Sequence, residues 1–193
     1  MGSAARSNIE RYNYSNYQEW PDHERWELID GIAYDMSPAP SRKHQKILGE
    51  LYRQISTYLL DKNCDAYMAP FDVRFPGPGE REEEIETVLQ PDISVICDPA
   101  KLDEKGCLGS PDLIIEIVSP ATVRKDMREK LFTYEKFGVK EYWVIHPVDQ
   151  ILMVFKLLPD KKYGRPDIFS SLDQVKVGIF SDLTINLTTV FKD

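Results

Sequence analysis

The chain has 193 residues, 42% of them hydrophobic and 29% charged, and a formal net charge of −8. That balance fits one folded domain over residues 1–193 with a substantial core, and it excludes disordered and fibrous classes. It also excludes nucleic-acid binding driven by the overall field, while leaving room for a local basic face.

No apolar run reaches bilayer length and the N-terminus lacks signal-peptide order, so a cytoplasmic protein with no membrane association is expected. Residues 1–13 are expected to be flexible and are set aside. In chain order, YSNYQEW at 14–20 predicts a short helix with Ser15 as its cap, followed by a PDHE turn. WELID-GIAYDM predicts two strands joined at Asp30-Gly31, a dipeptide suited to a tight hairpin. Alternation sets Glu27 on the wet face of the first strand.

From Ser41 onward, Ile47, Leu48, Leu51, Ile55, Tyr58 and Leu59 recur at helical spacing, which predicts an amphipathic helix capped by Ser41. His44 begins its stripe, and both a packed role and a chemical one are open to it. Arg42, Lys43 and Lys46 beside it read as a solvated face or as phosphate contacts. Asp65–Phe75 predicts one strand by alternation, and PGPGEREEEIE an exposed loop whose three consecutive glutamates are solvated. The three cysteines, Cys64, Cys97 and Cys107, lack metal-ligand spacing, and an odd count argues against a disulfide framework. They are expected as small hydrophobes or incidental loop residues.

Two acids interrupt apolar strands. In TVLQPDISVIC, Asp92 follows Pro91, which predicts a strand distorted at the acid. In PDLIIEIV, Glu116 stands inside a run that reads as buried on both faces, where a charge needs a partner. Two carboxylates on adjacent central strands are the hard oxygen ligands that Mg²⁺ or Mn²⁺ needs for phosphate chemistry. Residues 122–137 predict a second helix in which Met127, Lys130, Leu131, Tyr134 and Phe137 face the sheet. Lys125, Arg128 and Lys136 fall elsewhere. Gly138 ends this helix, Glu141–Ile145 is the next strand, and strands near Ile151–Leu158 and Leu183–Phe191 extend the sheet.

The order helix, strand, strand, strand, helix, strand, over a core of about residues 41–146, together with Pro91-Asp92 and Glu116-Ile117-Val118, resembles the PD-(D/E)xK nuclease superfamily. WELIDG, VLQPDISVIC, PDLIIEIVSPAT and KFGVKEYWVIHP resemble, more closely, the Uma-two family of restriction-endonuclease-like proteins, over about Tyr17–Phe191. The resemblance implies an α/β (α+β) restriction endonuclease-like fold whose mixed central sheet is extended by N- and C-terminal strands. It also implies Mg²⁺-dependent (or Mn²⁺-dependent) endonuclease action on nucleic acid, foremost DNA, by a homodimer.

Carried over residue by residue, the resemblance makes Asp92, Glu116 and the Ile117 carbonyl metal ligands. It promotes Glu27 to a third carboxylate of the site. Where the superfamily pattern has lysine two residues after the glutamate, this chain has Val118, and Lys130 on the following helix is the substitute it suggests. Lys130 and Tyr134 repeat the spacing of a QxxxY element found in recombination-type members. Gln90, Asp126, Tyr134 and His44 complete the candidates. Val118 and the acidic charge also support a different reading, a catalytically inactive nucleic-acid-binding or assembly module on the same fold. Hydrolysis of a small phosphate ester would use the same chemistry.

Overall fold

The computed structural model describes residues 10–21, 23–36 and 39–192. The segment expected to be flexible therefore lies outside the described residues at 1–9, as does Asp22 of the expected turn. Helix α1 (Tyr14–Gln18) is capped by Asn13, whose side chain accepts from the Asn16 amide, and not by Ser15, which lies inside the helix. Asn13 wins because Asn16 stands at the third helical position and closes a reciprocal box back to the Asn13 amide.

Strands β1 (Trp26–Ile29) and β2 (Ile32–Asp35) form the expected hairpin, with φ of 46° at Asp30 and 76° at Gly31. Helix α2 (Arg42–Leu59) starts at the Ser41 cap and buries Ile47, Leu48, Leu51, Ile55 and Leu59, each contributing about 1.5–3 kcal/mol by leaving water. The single strand expected over 65–75 is two, β3 (Asp65–Met68) and β4 (Val73–Arg74), in different sheets. Pro70 has no amide to give a ladder, and the chain changes sheets around it.

The next acid-bearing stretch divides in the same way into β5 (Val88–Leu89) and β6 (Ile93–Ile96), with Gln90-Pro91-Asp92 crossing between sheets. This is the expected distortion at the acid. Strands β7 (Leu102–Asp103) and β8 (Gly106–Leu108) pair in the polar segment before β9 (Leu113–Ile117). The second main helix begins as a π-wound segment, Lys125–Lys130, and continues as α3 (Leu131–Phe137), ending at Gly138 in the left-handed region. Strands β10 (Glu141–His146), β11 (Ile151–Lys156), β12 (Asp167–Ser170), β13 (Gln174–Lys176) and β14 (Thr184–Asn186) follow, with a final helix α4 (Leu187–Val190). The strand expected over 183–191 thus stops at Asn186, because that side chain caps α4 by accepting from the Thr188 amide.

The central sheet has strand order β12-β11-β10-β9-β6-β3, and a second sheet runs β2-β1-β5-β4-β8-β7. Strands β13 and β14 make a separate pair. Within the central sheet, β9 and β10 are parallel because the helix between them crosses over, whereas β6–β9, β10–β11 and β11–β12 are antiparallel. Along the chain α2, β3, β6, β9, α3 and β10 give the expected helix-strand-strand-strand-helix-strand core, and the fold is mixed α+β.

Both faces of β9 are covered. Leu113, Ile115 and Ile117 pack with the α2 stripe, while Ile114 packs with Tyr134, Tyr142 and Val144 on the opposite side. Period two puts Glu116 on the same side as Ile114, and therefore under α3.

The cysteines correct the sequence reading. Cys64 and Cys97 form a disulfide, and Cys107 is free and buried. The bridge follows from register: Asp65 pairs with Ile96 in the antiparallel β3–β6 ladder, so the residues one step beyond face each other. Spacing in the sequence carries no trace of that pairing.

Candidate active site

Asp92 and Glu116 meet where β6 and β9 run side by side. Ile93 pairs with Ile115, and one further step along this antiparallel register sets Asp92 opposite Glu116. Asp92 Oδ2 accepts from the Ile117 backbone N–H at 2.7 Å and lies 3.1 Å from His44 Nε2 at the start of α2. Two elements thereby fix one oxygen of this carboxylate, and Oδ1 has no protein partner among the described residues.

Glu116 is buried. Its Oε1 accepts from Lys130 Nζ at 2.7 Å and from the Tyr134 hydroxyl at 2.8 Å. Its Oε2 has no protein partner among the described residues. The lysine also sits 2.7 Å from Glu27 Oε1 and 3.7 Å from Asp126 Oδ1, so one ammonium joins three carboxylates. Such a centre holds only because every charge in it is paired or hydrogen-bonded.

Glu27 is fully buried and points toward this cluster, contrary to the solvent-facing position that alternation predicts. Pairing of β1 with β5 explains the difference: the second sheet brings β1 against the crossing at Gln90, whose N–H donates to Glu27 Oε1 at 3.1 Å. Glu27 Oε2 accepts from Lys125 Nζ at 2.7 Å. Both oxygens of Glu27 are therefore occupied by protein donors, two of them ammonium groups.

Lys125 is the residue that sequence reasoning missed. An α-helical wheel turns it away from Lys130, but the segment Lys125–Lys130 is π-wound, and a helix closed by i→i+5 bonds carries residues five apart on nearly the same face. No apolar periodicity signals such a turn. Asp126 is buried in the same turn, and its carbonyl accepts from the buried Tyr142 hydroxyl. Gln90 reaches the cluster through its backbone, while its side chain points elsewhere and is held by Arg25, Tyr17 and Asp72.

The electrostatics separate these acids. Burial alone would raise Glu27, but Lys130 and Lys125 outweigh it and hold its pKa at about 2. Burial raises Glu116 to about 8, and the neighbouring Asp126, Asp92 and Glu27 add to the rise against the attraction of Lys130. Burial likewise raises Asp126, again against Lys130. Lys130 stays charged, because Glu116, Glu27 and Asp126 overcome its desolvation.

Four carboxylates, Glu27, Asp92, Glu116 and Asp126, therefore face two ammonium groups, Lys125 and Lys130. Fully ionised, the cluster lacks two positive charges. Protons on the buried acids or one divalent cation would supply them.

A cavity of about 500 Å³ opens onto the site, lined among others by Lys43, His44, Asp92, Glu116, Lys125 and Lys130. No group of three or more His, Cys, Asp or Glu side chains is arranged to hold a metal ion among the described residues. The donor chemistry nevertheless suits a hard cation, because Asp92 Oδ1 and Glu116 Oε2 are carboxylate oxygens left without protein donors beside a deficit of positive charge. Elsewhere, Glu83 and Glu84 are exposed as expected, whereas Glu82 pairs with the buried Arg74 and with Lys105. No described helix is long and apolar enough to cross a membrane.

The chain is similar to several known proteins. It resembles the crystal structure of "a putative nuclease belonging to DUF820" from Anabaena variabilis, with 23% identity and a TM-score of 0.73, over 93% of this chain and 97% of that one. That likeness speaks for the fold. No curated protein matches the chain. The model of the family Uma2, described as "Putative restriction endonuclease", matches residues 14–188, and the chain belongs to that family.

Proposed function

We propose that this protein is a PD-(D/E)xK-type endonuclease that hydrolyses phosphodiester bonds with the help of Mg²⁺ or Mn²⁺, with DNA as its substrate. One observation supports this reading above the others: Lys130 Nζ lies 2.7 Å from Glu116 Oε1, so a helix-borne ammonium stands beside the acid although Val118 holds the pattern's lysine position. The same observation weighs against an inactive module.

In this mechanism Asp92, Glu116 and the Ile117 carbonyl would hold the cation. When bound, it polarises the phosphate and lowers the pKa of a coordinated water. Lys130 orients the attacking water and offsets charge on the phosphoryl oxygens as they gain it. Glu27 keeps that ammonium in place and charged. Tyr134 fixes Glu116 through Oε1, leaving Oε2 without a protein donor, and His44 fixes Asp92 through Oδ2 in the same way; the remaining oxygens would be the ones available to a cation. The chain acts as one domain, in the cytoplasm and as a homodimer, with one site for each strand.

Incubation of purified protein with plasmid DNA, and separately with RNA, tests the reading in Mg²⁺, Mn²⁺ and EDTA. Metal-dependent cleavage of DNA that is lost in folded Asp92→Ala and Lys130→Met variants is expected. Cleavage surviving in either variant, or in EDTA, would overturn it.

A further inference from the structure

A second cavity of about 410 Å³ lies between α1 and the crossing from β5 to β6, with Tyr17, Trp20 and Trp26 in its wall and Arg25, Asp72 and Gln90 at its polar edge. The rings are fixed against one another: Trp20 lies 5.5 Å from Tyr17 and 5.6 Å from Trp26 between centroids. The polar edge is equally fixed. Gln90 Nε2 donates to Asp72 Oδ1 at 2.8 Å and Tyr17 OH donates to the same oxygen at 3.0 Å, while Arg25 Nη2 donates to Gln90 Oε1 at 2.8 Å. Asp72 Oδ2 has no protein partner among the described residues.

This arrangement has an aromatic wall whose rings are inclined to one another, so that each offers its own face, a carboxylate oxygen left to accept, and a guanidinium beside it. From it we infer that the cavity binds a nucleobase bearing an amino group, guanine in preference to uracil. Aromatic rings stack on any base, which gives affinity without selectivity. Selectivity comes from the edge: the free Asp72 Oδ2 accepts and never donates, so it favours guanine, whose N1–H and amino group put two donors on one edge within reach of its two lone pairs, over uracil, which offers one N–H flanked by carbonyl oxygens. The volume is within the range of small-ligand sites.

Position ties the cavity to the candidate active site. Gln90 and Asp92 are two residues apart, one lining each cavity, and the Gln90 N–H is bonded to Glu27. The inference rests on the nuclease reading only for the source of the base, which is either a nucleotide of the substrate strand or a free nucleotide.

The test is tryptophan fluorescence of the whole chain titrated with guanosine and with uridine in EDTA, where neither phosphate nor metal engages the acidic cluster. Of the three tryptophans, Trp143 is fully buried in the core, so quenching reports on Trp20 and Trp26. Saturable quenching by guanosine with a Kd below about 1 mM, at least tenfold weaker with uridine, is expected. It should disappear in Trp20→Ala, and Asp72→Asn should remove the preference while keeping the stacking. A quench that does not saturate, or that persists in folded Trp20→Ala, overturns the inference. Competition between guanosine and a single-stranded oligonucleotide for the Glu116→Gln variant assigns the base to the substrate strand, and binding of both together assigns it to a free nucleotide. Because the titration needs no cleavage, guanosine binding by a protein without nuclease activity would refute the nuclease reading and not this one.

Discussion

Glu27, on a strand of the second sheet, and Glu116, in the middle of the central sheet, are both buried and both 2.7 Å from the same ammonium of Lys130. Yet one pKa is held at about 2 and the other is pushed to about 8. The difference lies in the neighbours. Glu27 has two lysines and a backbone N–H, whereas Glu116 shares one lysine and faces three other acids. Burial costs each carboxylate alike, and the count of donors decides which stays charged. Glu27 thus has both oxygens engaged by protein donors, whereas Glu116 Oε2 has no protein partner among the described residues.

The largest test of that contrast is catalytic. Glu116→Gln keeps the shape and a carbonyl oxygen but can no longer ionise to meet a cation, and cleavage should fall by about 10²–10³ or more, as for loss of a preorganised electrostatic group. Its thermal stability should stay level or rise, since a carboxylate has left a cluster rich in them. Unimpaired cleavage would leave Glu116 with no place in the chemistry. Glu27→Gln should behave in the opposite way. It removes the carboxylate that Lys125 and the buried Lys130 share, at a cost of about 3–5 kcal/mol, read as a lowered denaturation midpoint in urea. A variant as stable as the parent would show that the two lysines are not held by Glu27.

How much of this was legible follows the same division. Lys130 and Tyr134 share a helical period with apolar residues, so the sequence predicts their side of the helix, and Asp92 and Glu116 betray themselves by interrupting apolar runs. Asp92 beside Pro91 also marks where the strand breaks. Glu27 belongs to an alternating strand and looks solvated. Only the pairing of β1 with β5 buries it, and pairing between distant strands leaves no mark in either one. Lys125 was hidden because the π-wound turn changes the period. The Cys64–Cys97 bridge was hidden because register, not spacing, sets it. Resemblance to a family supplied what pattern alone lacked for Glu27, but not Lys125 or the bridge.

Acidity separates the two glutamates more finely. Glu27 has a folded pKa below its ordinary value of 4.5, so it binds fewer protons folded than unfolded; its stabilisation is complete above about pH 4.5 and is lost as the pH falls toward about 2. Glu116 has a folded pKa above 4.5, so it binds more protons folded; stability should decline as the pH rises from about 4.5 to about 8. Urea melts across that upper window should show a larger decline in the parent chain than in Glu116→Gln, where Asp126, also raised by burial, still contributes. A decline of equal size in both would assign it to other groups.

The smallest expected effect belongs to Lys125→Ala. Lys125 is partly exposed and is one of two lysines on Glu27, so solvent screens its share and Lys130 remains. A loss of about 1 kcal/mol is expected, the worth of an ordinary hydrogen bond and below the range for charged ones because solvent screens it. The informative part is its dependence on Lys130. With Lys130→Met already in place, removal of Lys125 leaves Glu27 buried without either cation, and the cost of the second substitution should exceed its cost alone by more than about 0.5 kcal/mol, the usual limit of additivity for independent sites. Additive losses would mean that the lysines support Glu27 separately and that no shared charge centre joins the two sheets.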